Sequence, residues 1–375
     1  VQVRTDRTVN FNWIFALPHP ALDANCFSVV WTGSVVMPRT MDGCIGLSTQ
    51  DSMRLYVDDK LLIDGWGKDK SADQALDFHF EAGRTYKIRI EFVNDRRGAR
   101  VIFGYSAGRE NFPAAVEAAR KADVAILCMG DNEETSGENF DRTDLNLPGR
   151  QLELVQAVYA TGTPVVLVLQ SGRPVTANWE NDHLPAILEA WFPGEQGGTA
   201  IAKTLFGDAA PGGRLPITFP RSVGQIPCHY SRRPGGGKRY VEMDWLPLYP
   251  FGYGLTYTTF AYRDMALSRS VIDPQDTVTV SVTVTNTGKY TGDAVPQLYV
   301  RDMFSSVVKP ERQLAAFRRL TLAPGESRRV ELTVGPKQLR TLGPDYVWRV
   351  EPGKFELQLG DNAENILLRA DLTVE

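Results

Sequence analysis

Val124-Ala125-Ile126-Leu127 opens an apolar run that ends at Met129. A polar loop from Gly130 to Gly149 follows, then a helical stripe of Leu152, Val155 and Val158, and then a second apolar run, Val165-Val166-Leu167-Val168-Leu169. A strand with one wet face alternates apolar and polar residues, and these two runs do not. Nearly continuous apolar strands joined through an amphipathic helix predict a mostly parallel sheet covered on both faces. The pattern extends in both directions. Ala114-Ala115-Val116-Glu117-Ala118-Ala119 is a helix former, and Ala186-Ile187-Leu188-Glu189-Ala190-Trp191 is a third strand ahead of a helix bearing Ile201 and Leu205. Residues 109–220 therefore predict an α/β unit.

The flanks have another rhythm. Residues 1–108 predict an all-β unit, with short strands such as Phe27-Ser28-Val29-Val30-Trp31 and Arg54-Leu55-Tyr56-Val57. Tyr86-Lys87-Ile88-Arg89-Ile90-Glu91-Phe92 alternates as a half-buried antiparallel strand does. Asp58-Asp59 and Glu81-Ala82-Gly83 are turn chemistry. Residues 221–258 are a connection rich in Gly and Pro. Residues 259–375 return to alternating strands, Val278-Thr279-Val280-Ser281-Val282-Thr283-Val284 most clearly, and predict a small β-sandwich. The fold class is thus multidomain, α/β plus all-β.

Composition narrows the function. The chain has 375 residues, with 23% charged and a net charge of −4. No basic stripe offers a footing for nucleic acid. No apolar run reaches the ~18 residues of a membrane helix. The four cysteines, Cys26, Cys44, Cys128 and Cys228, lack metal-ligand spacing. Cys128, inside an apolar run, reads as a core residue, and a Cys26–Cys44 disulfide is one option. The four histidines form no metal pattern and no Gly-x-Ser-x-Gly elbow accompanies them. Neither a cofactor nor a metal is expected.

Chemistry concentrates in the loop after Met129. Ligands of open parallel sheets bind outside the carboxyl ends of the strands, and this loop carries Asp131, Glu133, Glu134, Glu138, Asp141, Arg142 and Asp144. One reading is a solvated loop that caps the next helix, with Asp144 as a capping candidate. The other is a general acid/base site. Trp191 and Phe192, at the end of the third strand, could stack on a sugar or pack under the loop. Arg232, Arg233, Lys238 and Arg239 flank a glycine run and could reach a pocket or remain solvated.

Ser136-Gly137-Glu138-Asn139-Phe140-Asp141-Arg142, with Asp144-Leu145 and Leu147-Pro148-Gly149, resembles the acid/base loop of family 3 glycoside hydrolases. Ser171-Gly172-Arg173-Pro174, Ala190-Trp191-Phe192-Pro193-Gly194, Gly207-Asp208 and Gly212-Gly213-Arg214-Leu215-Pro216 are similar to that family's α/β sandwich domain. Pro250-Phe251-Gly252-Tyr253-Gly254-Leu255-Thr256-Tyr257 resembles its closing signature. Thr285-Asn286-Thr287-Gly288, Gln297-Leu298-Tyr299-Val300 and Leu322-Ala323-Pro324-Gly325-Glu326 resemble its fibronectin type III-like domain. Leu47-Ser48-Thr49-Gln50-Asp51-Ser52-Met53-Arg54-Leu55-Tyr56-Val57-Asp58 resembles a PA14 domain, with its first strand expected to be missing. Lectins of that type hold calcium on adjacent aspartates, but Gln50-Asp51 has one carboxylate there, so calcium is not expected.

The resemblance implies a retaining exo-β-glycosidase, most simply a β-glucosidase acting on a β-glucoside or oligosaccharide, with β-xyloside as the alternative substrate. It assigns Glu138 as general acid/base, with Glu134 and Glu133 as runners-up, and Asp141-Arg142 as supporting residues. Gly137 is expected to allow a sharp bend beside it. The family's nucleophile is an aspartate on an N-terminal (β/α)8 barrel, which these residues do not contain. Met243-Asp244-Trp245 resembles the nucleophile motif only superficially, because the family has a loop there. The implied partner is a chain or segment carrying the barrel, the nucleophile and the first sandwich strands; a homodimer is also compatible. A sheet lacking those strands should expose an apolar edge and face. Family resemblance suggests a periplasmic or secreted location. The rival reading is a carbohydrate-binding or adhesion fragment without catalysis.

Overall fold

The computed structural model describes residues 3–13, 17–23, 26–49, 51–67, 72–94, 99–107, 112–133, 135–235 and 240–375. The chain divides into two compact units, Val1–Pro113 and Ala114–Glu375.

The first unit is all-β, with strands β1 (Asn10–Asn12), β2 (Phe27–Val36), β3 (Met41–Thr49), β4 (Ser52–Val57), β5 (Lys60–Asp64), β6 (Ala72–Phe80), β7 (Thr85–Asn94) and β8 (Arg100–Ala107). They form two antiparallel sheets, ordered β1-β8-β3-β6 and β2-β7-β4-β5. The alternation read in β7 is the observed burial: Tyr86, Ile88, Ile90 and Phe92 are buried, and the residues between them are not. Asp58 and Asp59 both adopt left-handed backbone (φ 48° and 64°), which closes the tight β4–β5 hairpin. Cys26 and Cys44 are free thiols, and Cys44 Sγ lies 3.1 Å from Ser106 Oγ.

The second unit opens with the α/β layers. Helix α1 (Pro113–Arg120) leads to β9 (Ala125–Gly130), α2 (Gln151–Tyr159), β10 (Val165–Gln170), α3 (Asn178–His183), β11 (Ala186–Glu189) and α4 (Gly197–Leu205). The three strands are parallel, ordered β11-β10-β9. One face packs Val165, Leu167 and Leu169 against Val155 and Val158 of α2 and Ala119 of α1. Coverage of both faces holds only at the centre. The sheet has three strands here, which makes β9 an edge, and Ile126 is 44% exposed. Cys128, on the same face, is also exposed rather than a core residue.

After α4 the chain runs irregularly, then doubles back. Leu215 and Phe219 exchange backbone hydrogen bonds with Tyr249, Gly252 and Tyr253. Arg232 ties this connection to the β-sandwich through ion pairs with Glu311 (3.3 Å) and Glu364 (2.7 Å), while its guanidinium stacks on Trp245. Lys238 and Arg239 lie outside the described residues. Gly252 has φ 82°, and a Cβ there would sit 2.0 Å from Gln297 Oε1, so only glycine admits the close approach. Gln297 Nε2 donates to Gly252 O (3.0 Å) and Asp361 O (2.6 Å).

The sandwich proper pairs a sheet of Phe260–Leu267, Val278–Asn286 and Ser327–Val334 with a five-stranded sheet built around Gly353–Gly360. Val278, Val280, Val282 and Val284 are all buried between them, as the period-two pattern requires.

Candidate active site

The loop following β9 is held by backbone geometry first. Gly130 has φ 140°, and a Cβ on it would lie 2.0 Å from Gln170 O on β10. Glycine there lets the chain leave the sheet while Gln151 of α2 clamps the turn. The Gln151 Oε1 accepts from Gly130 N (2.7 Å), and its Nε2 donates to Gly130 O (2.8 Å).

The next residue anchors the rest. The Asp131 side chain is 3% exposed and sits between two guanidinium groups. Arg142 NH1 donates to its Oδ1 at 3.3 Å, Arg173 Nε lies 3.7 Å from its Oδ2, and Thr135 Oγ1 donates to Oδ1 at 2.9 Å. Two cations offset the cost of withdrawing one carboxylate from water. Both arginines also reach the loop backbone, Arg142 at Asn146 O (2.9 Å) and Arg173 at Thr135 O (3.3 Å) and Phe140 O (3.4 Å). The span 131–146 is thereby fixed at several points.

Glu138 stands exposed within that frame. Among the described residues its carboxylate has no hydrogen bond or ion pair, so it is available to an incoming group. Glu133 is also exposed, and Glu134 lies outside the described residues. Asp141 is exposed; the ion pairs belong to Arg142, which also meets Asp144 at 3.3 Å. The left-handed residue beside Glu138 is Asn139 (φ 66°) rather than Gly137. Gly137 instead lies close under the Phe140 ring, where a Cβ would come within 3.0 Å of it. Asp144 does not cap α2. Its Oδ1 accepts from Asn146 N (2.9 Å), while the residue preceding α2 is Arg150, whose side chain makes no capping bond. Asp244 is exposed and closes a local turn by accepting from Leu246 N (3.0 Å).

Two residues not singled out from the sequence join this end of the sheet. Arg173 follows β10, and the Ser171-Gly172-Arg173 spacing after an apolar strand was its only signal. Glu189 ends β11, and a lone acid closing an apolar strand was its signal. Burial pushes its carboxyl up to about 7, opposed by the hydrogen bond its Oε1 accepts from Trp191 N (3.0 Å). Trp191 packs edge-on against Phe219 at 5.8 Å, whereas Phe192 is 56% exposed instead of packed under the loop. No group of three or more His, Cys, Asp or Glu suited to a metal ion occurs among the described residues.

The arrangement offers exposed, uncommitted carboxylates, Glu133, Glu138 and Asp141, on a pinned loop at the carboxyl end of a parallel sheet, a disposition suited to proton transfer. Comparison with known proteins adds the following. Residues 28–257 match the model of the glycosyl hydrolase family 3 C-terminal domain, and residues 294–363 match that of a fibronectin type III-like domain. The chain is 45% identical to a β-xylosidase of Formosa agariphila over 302 residues, covering 77% of this chain and 42% of that protein. It is 42% identical to a periplasmic β-glucosidase of Salmonella typhimurium over 263 residues, covering 67% and 34%. The crystal structure of β-glucosidase from Kluyveromyces marxianus in complex with glucose superposes with a TM-score of 0.77 at 28% identity, covering 98% of this chain and 47% of that one. The chain thus spans half or less of the length of these relatives.

Proposed function

The chain belongs to glycosyl hydrolase family 3, and on that footing we propose that it supplies the proton-transfer half of a retaining β-glycosidase. Glu138 is the general acid/base. In the first step it protonates the glycosidic oxygen while a carboxylate outside this chain attacks the anomeric carbon. In the second it removes a proton from the water that releases the sugar. A glycosidic oxygen leaves poorly as an alkoxide, so a positioned acid contributes about 10²–10⁴-fold. The observation that carries this reading is the free Glu138 carboxylate on a loop pinned through Asp131, Arg142 and Arg173.

The nucleophile, in this reading, belongs to a (β/α)8 barrel on another segment or chain. Companion strands on that segment would pair with the β9 edge, and the helices joining them would cover the face that carries Ile126 and Cys128. The all-β first unit is a PA14-type module, with the α/β part taken as 109–220 and the closing connection as 221–258. β-Glucosides are the preferred substrates and β-xylosides the alternative, since named relatives include both kinds of enzyme. The periplasmic relative supports a periplasmic or secreted location.

The test uses the complete, barrel-bearing enzyme with aryl β-glucoside and aryl β-xyloside, following the first-formed anomer by proton NMR. Release of the β-anomer supports the proposal. Release of the α-anomer, or sugar binding without turnover, would favour an inverting enzyme or a binding fragment.

A further inference from the structure

At the end of β11, Glu189, Trp191 and Phe192 form a corner to which the proton-transfer reading gives no task. Two local costs are concentrated there. Trp191 adopts left-handed backbone (φ 53°), which is unfavourable for a bulky residue by roughly 1–3 kcal/mol. Glu189 Oε1 accepts from Trp191 N, while its Oε2 is buried with no hydrogen-bond partner among the described residues. An unsatisfied buried oxygen is a cost of its own.

What these costs achieve is visible in the two aromatic side chains. The left-handed residue sends Trp191 inward against Phe219 and turns Phe192 outward, where it is 56% exposed. The Phe192 ring lies over Gly172, where an added Cβ would meet its Cε2 at 2.9 Å and Ser136 Oγ at 3.1 Å. Glycine at 172 therefore lets the ring and the acid/base loop share one seat, two residues from Glu138. A phenylalanine needed only for packing would take the inner position, which Trp191 already fills.

A general acid faces the oxygen that joins the two halves of its substrate, so a side chain next to the acid's own loop meets the departing half. Resting on the assignment of Glu138, we propose that Phe192 is a platform for the leaving group, stacking on a sugar or aryl ring, and that Glu189 is the positioning residue that holds it out. The ligand class is a β-glycoside whose aglycone carries a ring. The exposed ring gives the apolar face of a pyranose or an arene an aromatic partner.

The experiment measures kcat and KM on the complete enzyme for phenyl β-glucoside, cellobiose and methyl β-glucoside. Phe192→Ala is expected to lower kcat/KM for the two ring-bearing substrates at least about fivefold more than for the methyl glucoside, chiefly through KM. Phe192→Tyr should restore the wild-type ratio. Glu189→Leu, which removes the acceptor for Trp191 N, should reproduce the altered ratio, and Glu189→Gln, which keeps an acceptor, should not. An equal loss on all three substrates, or none, overturns the proposal. Glu138→Gln run in parallel separates the two ideas. If it fails to impair methyl glucoside hydrolysis, the acid/base assignment falls; if it impairs it while Phe192→Ala shows no leaving-group discrimination, only the platform falls.

Discussion

Replacing Glu189 by Gln should remove a pH-dependent weakness of the α/β layers. Burial raises this carboxyl from its ordinary 4.5 to about 7. Between those values the folded chain keeps the proton and the unfolded chain releases it, so stability falls as pH rises. The favourable contribution is complete below the unfolded value and is lost as pH passes through the folded one. The gap between 4.5 and about 7, at about 1.36 kcal/mol per pH unit, amounts to about 3.4 kcal/mol. Partial exposure of the residue reduces the expected figure to about 2–3 kcal/mol. The assay is urea unfolding at about pH 5 and about pH 8, comparing wild type with Glu189→Gln so that all other titrations cancel. The variant should gain about 2–3 kcal/mol over wild type between the two conditions. An identical pH dependence in the two proteins would show that Glu189 ionises freely, and the reasoning from burial would be wrong.

Other consequences can be measured in the same way. Asp131→Ala leaves Arg142 and Arg173 facing each other without their shared anion, and should cost about 2–4 kcal/mol in urea unfolding while lowering kcat/KM through a loosened Glu138 loop. Gly130→Ala forces a Cβ against Gln170 O and an unfavourable φ, and should destabilise by more than about 3 kcal/mol or prevent soluble expression. Gln297→Leu strands the carbonyls of Gly252 and Asp361, and should cost about 2 kcal/mol, read as a lower thermal midpoint.

The sequence carried most where periodicity had a physical cause. The valines from 278 to 284 and the alternating residues of β7 declare which face meets the core, and the apolar 165–169 run declares a central parallel strand. It misled at β9, because an apolar run has the same pattern whether both of its faces are covered or one is open; Ile126 and Cys128 lie exposed on one face. The carboxylate-rich loop was legible as a site, but its internal wiring was not. Which acid takes the two arginines depends on where β10 ends, and that distance lies across the fold, from Asp131 to Arg173. Likewise, Asn139 rather than Gly137 supplies the left-handed turn beside Glu138, since asparagine tolerates that conformation.

The assignment of Glu138 is tested most directly by Glu138→Gln in the complete enzyme, with a series of aryl glycosides of rising leaving-group pKa. The account predicts a loss that grows along the series, reaching about 10²–10⁴-fold in kcat/KM for the poorest leaving groups and shrinking for those that need no proton. A mutant that tracks wild type across the whole series would contradict it.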